Sequence, residues 1–173
     1  MGIFKSRGLR GSGLEESINY TIEIYRNKKL ALIQKIPTPI TPIEIDNKTR
    51  HIKLAYFDKK STVDYIGVVQ GVPICFDAKE SKIDRFPLAN VHSHQIEFMN
   101  EFKAQEGIAF FLIHFSTRDE YYYMSIDEFL TFKNRELNGG RKSFLYTELN
   151  RDNFIKKEGI IIHFLINIQK ELL

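Results

Sequence analysis

The residue pattern predicts an α/β fold, a mixed central β-sheet flanked by helices, and three observations carry that prediction. The 173 residues leave room for one domain with one core, so 1–173 is expected to fold as a unit. Helical and strand periodicities alternate along the chain in the order helix, strands, helix, strands, helix. The apolar run from Ile108 to Phe115 has the length and composition of a strand buried on both faces. Hydrophobic residues at 43% and aromatics at 13% supply a core, and 27% charged residues excludes disorder as the main state.

Taken in order, residues 1–13 carry Lys5, Arg7 and Arg10 without an acid and with four glycines among them, which makes a short basic arm. Leu14, Ile18, Ile22 and Tyr25 recur at helical spacing, and Ser12 with Glu15 forms a capping-box pattern at the start of this first helix. A strand is expected over 31–36, after which Pro37, Pro39 and Pro42 interrupt any regular ladder. Residues 43–45 and 51–57 then read as the arms of a projecting hairpin that turns near Asn47, with Ile52, Leu54 and Tyr56 alternating along the second arm. A second hairpin turns at Gln70-Gly71, joining strands over 64–69 and 72–79.

A helix is predicted over 92–105, stopped by Gly107. The buried strand 108–115 follows, then its neighbour over 120–125. Ser125 and Glu128 open a third helix that ends at Gly139-Gly140. In the tail, Ile161, Leu165, Ile168 and Leu172 fall on one helical face.

Composition also limits function. One cysteine, Cys75, allows no intrachain disulfide and no multi-cysteine zinc site, which points to a reducing compartment and a cytoplasmic location. The longest nearly apolar runs are about half of what a membrane-spanning helix needs, so no membrane association is expected. The net charge of +3 is mild, and its distribution matters more than its sum.

The chemistry concentrates in the Gln70-Gly71 hairpin. With a two-residue turn, Val69 pairs with Val72, and counting outward sets Asp64 opposite Asp77. Opposed residues in an antiparallel pair share a face with Cβ atoms about 5 Å apart, and like charges there repel. A divalent cation offsets that repulsion, and paired carboxylates suit the oxygen-rich preference of Mg2+ or Mn2+. Lys79 lies two residues beyond Asp77 on the same face, within reach of a metal-bound water or a phosphate oxygen. Such a set can perform metal-assisted phosphodiester hydrolysis. The same spacing also suits two ordinary solvated carboxylates with Lys79 as a salt-bridge partner, and a slip of one residue would put the acids on opposite faces. Cys75 shares the parity of Asp77 with no activating partner in sight and reads as a packing residue.

The string Asp64…Asp77-Ala78-Lys79 matches the PD-(D/E)xK nuclease motif, and its surroundings resemble the RecU family of Holliday junction resolvases. The matching residues are Leu14-Glu15, Pro37-Thr38-Pro39, Ala55-Tyr56-Phe57, Ser61-Thr62-Val63-Asp64-Tyr65, Phe76-Asp77-Ala78-Lys79-Glu80, Phe86-Pro87-Leu88, His94-Gln95-Ile96-Glu97, Lys103-Ala104-Gln105-Glu106-Gly107 and Asn138-Gly139-Gly140-Arg141-Lys142-Ser143. The resemblance implies a restriction-endonuclease-like fold and a homodimeric, Mg2+- or Mn2+-dependent enzyme that cuts four-way junction DNA during recombination and repair. A RecA-type recombinase is a further candidate partner. It also implies site roles: Asp64 and Asp77 as metal ligands with Thr62 beside them, Lys79 as the catalytic lysine, and Glu15 and Gln95 as further catalytic residues. The family's junction-entering stalk would correspond to 37–60. Asp77 stands where these proteins usually carry Glu, the basic arm is short, and the tail after Asn150 matches poorly.

Basic residues give DNA a place to bind. Residues 34–60 hold six of them, including Lys48, Arg50 and Lys53, against three acids, a net +3. Lys133, Arg135, Arg141 and Lys142 surround Gly139-Gly140 with Glu136 opposing. Alongside a nuclease hairpin, these clusters and Arg7 and Arg10 of the arm are candidate phosphate contacts. Two other functions fit the residues: a junction-binding or recombinase-regulating protein with weakened catalysis, and a general PD-(D/E)xK DNA endonuclease.

Overall fold

The computed structural model describes residues 12–57 and 62–173; Arg7, Arg10 and the rest of the basic arm before Ser12 lie outside the described residues. The first helix, α1, covers Ser12–Asn27 and buries Leu14, Ile18, Ile22 and Tyr25, the four positions its periodicity marks. It is followed by β1 (Ala31–Lys35), a hairpin of β2 (Ile40–Asp46) and β3 (His51–Phe57), and a second hairpin of β4 (Tyr65–Val69) and β5 (Val72–Ser81). Then come β6 (Arg85–Pro87), α2 (Ser93–Ala104), β7 (Ile108–Phe115), β8 (Glu120–Ser125), α3 (Ile126–Leu137) and β9 (Ser143–Leu145). The chain ends with β10 (Lys157–Glu158), β11 (Ile161–Ile162) and α4 (Leu165–Glu171).

Five strands make the central sheet in the order β1-β4-β5-β7-β8. All neighbours are antiparallel except β5 and β7, which run parallel and are joined through α2. The sheet is therefore mixed and helix-flanked, as the residue pattern predicts. On one face, α1 and α4 cover Ile33, Tyr65, Ile74, Phe76, Phe110 and Leu112. On the other, α2, α3 and the β6–β9 ribbon cover Cys75, Ala109, Phe111 and Ile113. Coverage from both sides is why all eight residues of β7 are buried and apolar or nearly so.

The β4–β5 turn places Gln70 at φ 48° and Gly71 at φ 91°, the pair of positive φ values that a two-residue hairpin with the right twist requires. Gln70 is strained there, and its amide offsets the strain by donating to the carbonyls of Lys29 and Leu30 at 3.0 and 3.2 Å. Gly67 answers a different need: a Cβ on it would lie 2.4 Å from the Leu32 carbonyl oxygen, so β1 can approach β4 only over a glycine.

Two expectations fail. The tail is not helical from Ile161: Ile161 and Ile162 pair with Glu158 and Lys157 in a short ribbon, and α4 begins only at Leu165. The cause is tertiary. Thr21 Oγ1 accepts from the Ile162 N–H, the Tyr25 hydroxyl donates to the Ile162 carbonyl, and both tie this backbone to α1. In the first hairpin, β2 starts at Ile40 and runs through Pro42, with register shifts on either side of Glu44 absorbing the proline.

Among the described residues that hairpin pairs only with itself. Ile40, Ile43, Ile45, Ile52, Leu54, Tyr56 and Phe57 are all exposed, Phe57 to 76%, so the alternation along β3 does not mark a buried face within one chain. The Asp46 carboxylate closes its tip by accepting from the Lys48 and Thr49 N–H groups. Among the described residues no helix is long and apolar enough to cross a membrane.

Candidate active site

The register of the second hairpin runs as the turn dictates, Val69 against Val72 through Tyr65 against Phe76. The next position outward brings Asp64 to Asp77. There the ladder gives way to side-chain bonding: Asp64 Oδ2 accepts from the Ala78 N–H at 2.9 Å, and the Asp64 carbonyl accepts from the Ile36 N–H at 2.8 Å. Asp64 is thereby tied both to β5 and to the segment leaving β1.

Asp77 is 1% exposed, on the sheet face that α2 covers. Its two oxygens have different surroundings. Oδ1 accepts from Gln95 Nε2 at 2.8 Å. Oδ2 lies 2.6 Å from Lys79 Nζ as an ion pair, but no hydrogen bond of good geometry reaches it. Burial pushes the Asp77 carboxyl up to about 7; the Lys79 ammonium works against that rise and the neighbouring Asp64 charge adds to it. The Asp64 charge thus adds to a rise that burial dominates.

Gln95 connects the set. It is buried in the first turn of α2, its Oε1 accepts from Lys79 Nζ at 3.3 Å and from the His92 N–H at 3.2 Å, and its Nε2 faces Asp77. Two donors on one side and a carboxylate on the other fix which way the amide points. The Gln95 N–H donates in turn to the His92 carbonyl, so the helix start itself holds this side chain. The His92-to-Gln95 spacing of a helix cap is the signal in the sequence for that arrangement, although it does not say what the amide would face.

The other expected residues are distributed less evenly. Thr62 is half-buried two positions before Asp64. Glu15 does not join the aspartates: its carboxylate pairs with Lys35 Nζ at 2.6 Å, and among the described residues no three His, Cys, Asp or Glu side chains gather as a metal cluster. His92 and His94 stack on each other at 5.5 Å. Cys75 is buried, and burial followed by the Asp77 charge pushes its thiol up to about 12, which suits packing and not nucleophilic attack.

Of the candidate DNA contacts, Lys48 and Arg50 are exposed at the tip of the β2–β3 hairpin. Lys53 is engaged by Glu44 at 3.4 Å and Asp46 at 3.8 Å. The cluster around Gly139-Gly140 is more neutral than its sequence suggests. Lys133 pairs with Glu136, and Arg135 and Arg141 share Glu148, a residue the sequence reading left out of the balance. The bond from Arg135 holds the Glu148 carboxyl below its ordinary range. Lys142 remains exposed beside them.

Two carboxylates at adjoining positions, one with a buried oxygen lacking a well-directed hydrogen bond and a raised pKa, form a site short of positive charge. A divalent cation meets that need, so Asp64 and Asp77 fit a metal. Lys79 and Gln95 stand beside it as donors.

Comparison with known proteins identifies the family. The family described as Recombination protein U, RecU, matches residues 9–170, including the tail beyond Asn150 that its motifs alone leave unmatched. A Holliday junction resolvase RecU of Limosilactobacillus reuteri (strain DSM 20016) is 42% identical over 162 residues, covering 91% of this chain and 76% of the relative. One from Bacillus cereus (strain AH820) is 44% identical over 144 residues, covering 81% and 72%. Among solved structures, Hjc of Archaeoglobus fulgidus, a Holliday junction resolvase, aligns over 70% of this chain and 75% of its own with 10% identity and a TM-score of 0.41. With the family matched across nearly the whole chain and relatives above 40% identity, this chain belongs to the RecU family.

Proposed function

We propose that the chain is a structure-selective, metal-dependent endonuclease that resolves four-way DNA junctions by phosphodiester hydrolysis. The observation that carries this reading is the Asp64, Asp77, Lys79 and Gln95 cluster, assembled at the position the nuclease motif requires in a chain whose relatives are named Holliday junction resolvases. Asp64 and Asp77 would hold Mg2+ or Mn2+, with Thr62 beside them. When bound, such an ion supplies an activated water and offsets charge on the phosphoryl oxygens.

The remaining roles belong to the chain. Gln95 holds Asp77 Oδ1, and Oδ2 would be the oxygen left for a cation. Lys79 contacts Oδ2, and beside a bound cation its ammonium would orient a water or meet a phosphate oxygen. Lys48 and Arg50 are offered to phosphates at the tip of the exposed hairpin, and Lys142 is exposed on the connection before β9. Arg7 and Arg10 would extend the same contacts.

The exposed apolar side chains of the β2–β3 hairpin favour a homodimer, because seven large hydrophobics distributed over the two faces of one hairpin are more than a lone chain usually leaves in water. Two sites related by a two-fold axis suit two opposed strands of a junction. A RecA-type recombinase as partner and a cytoplasmic location accord with recombination chemistry.

Cleavage of a four-way junction in parallel with Mg2+, Mn2+ and Ca2+ tests the reading. Asp64→Ala and Asp77→Ala should each abolish cutting while junction binding in Ca2+ persists, since each removes a metal ligand and no phosphate contact. Cutting at near wild-type rate by either variant refutes the site. Equal competition by linear duplex refutes the junction preference and makes the protein a general nuclease, and junction binding without any cutting by the wild type makes it a binding protein.

A further inference from the structure

Two depressions adjoin where β4 turns into β5, away from Lys79 near the far end of that strand. One is an apolar groove of about 460 Å³ between this turn and α4, with Leu30, Val69, Val72, Leu165, Ile168 and Leu172 in its wall. The other, of about 260 Å³, lies against Leu32 and Val68 and is bordered by Arg26 and Lys29. Leu30 and Gln70 line both, so the apolar groove runs directly into the basic one, and no acid lines either.

The ridge between them is held in shape. Lys29 and Gln70 both have left-handed backbone, at φ 56° and 48°, and the Gln70 amide donates to the carbonyls of Lys29 and Leu30. Lys29 closes the end of α1: its N–H donates to the Arg26 carbonyl, and the Leu30 N–H to the Tyr25 carbonyl. Helices favour glycine at such a place, because a Cβ is strained there. A lysine in that position keeps an ammonium at the rim in spite of the strain, and strain of this kind gathers where a side chain serves a function. Arg26, Lys28 and Lys29 are all exposed, and among the described residues none of their side chains forms an ion pair. Three cations that no carboxylate of this chain neutralises therefore stand beside an open apolar groove.

We propose that this composite groove docks an acidic amphipathic segment of a partner protein. Its apolar side chains would pack against Leu165, Ile168 and Leu172, and its Asp or Glu carboxylates would cross the Leu30–Gln70 ridge to meet Arg26, Lys28 and Lys29. Charge complementarity selects this occupant. A second copy of the chain would have to offer its exposed apolar hairpin, and the net +3 of residues 34–60 repels a basic rim. DNA supplies phosphates for the cations but nothing to fill the apolar half. The site stands apart from the metal-dependent reading above.

Selection of short random peptides against the full chain, with affinities of the recovered peptides measured by fluorescence polarisation, tests this. Recovered peptides should combine leucine-type residues with net negative charge and should bind less tightly as salt rises. Leu172→Glu sets a like charge in the groove from an exposed position and should weaken them by about tenfold or more. Lys29→Gly should weaken them by up to about fivefold, the most that one exposed ion pair contributes. That variant also separates docking from folding, because glycine accepts φ 56° without strain: its melting temperature should hold or rise while binding falls. Metal-dependent junction cleavage should stay at the wild-type rate in both variants, so this proposal and the nuclease reading fail separately. No binders, binders without acidic residues, or affinities indifferent to both substitutions overturn the proposal. Loss of linear-duplex affinity in place of peptide affinity makes the surface a DNA clamp, and a changed light-scattering mass makes it a seam between copies; either result also overturns it.

Discussion

Asp77→Asn should uncouple the stability of the protein from its activity. Burial raises the Asp77 carboxyl from 3.8 to about 7, against the Lys79 ammonium and with the Asp64 charge. Between those values the folded chain keeps a proton that the unfolded chain has lost. Stability is therefore full below about pH 4 and falls as pH rises through 7. A displacement of that size costs the metal-free protein on the order of 4 kcal/mol at pH 8 relative to pH 4, at about 1.4 kcal/mol per pH unit. Asparagine carries no such proton and can still accept from Gln95. Urea denaturation with a chelator, from pH 4 to pH 8, should show the stability difference swinging toward the variant by up to that amount. Added Mg2+ should recover the wild type and not the variant, because only the wild type offers two ligating carboxylates. A difference that stays flat across pH would refute the burial and repulsion assigned to Asp77.

Two further outcomes concern the hairpin. Replacing Lys48, Arg50 and Lys53 together with alanine should make the log-log salt slope for junction binding shallower by about 1.8 to 2.7, the lower figure applying if Glu44 and Asp46 keep Lys53 from DNA. Gel-shift titrations at several salt concentrations measure it, and equal change for linear duplex would make the hairpin a general clamp. Light-scattering mass should report a dimer at micromolar concentration, and Phe57→Asp with Leu54→Asp should shift it toward monomer. A wild type that stays monomeric with and without junction DNA would refute the dimer.

Most of the fold is legible in local pattern. The α1 face, the Gln70-Gly71 turn and the all-apolar β7 each follow from a spacing or a turn rule that no distant contact overrides. Because the turn sets the register, it also sets Asp64 beside Asp77, with Lys79 on the same face as Asp77, so the heart of the site is contained in one short hairpin. Where local pattern misleads, a long-range backbone bond has intervened, as at Ile162, whose N–H and carbonyl are both claimed by α1.

The partnerships across the sheet were decided by the tertiary structure alone. Helical spacing places Glu15 at the start of α1, but only the approach of β1 pairs it with Lys35. Net charge places a basic cluster around Gly139-Gly140, but only the fold brings Glu148 to Arg135 and Arg141. The sequence by itself determined that Asp64, Asp77 and Lys79 share one face of a hairpin, because strand parity and turn length are local properties of the chain. Which oxygen of Asp77 stays open, and how far its proton affinity rises, depends on burial and on Gln95 arriving from another element, and those are set only once the helix packs against the sheet.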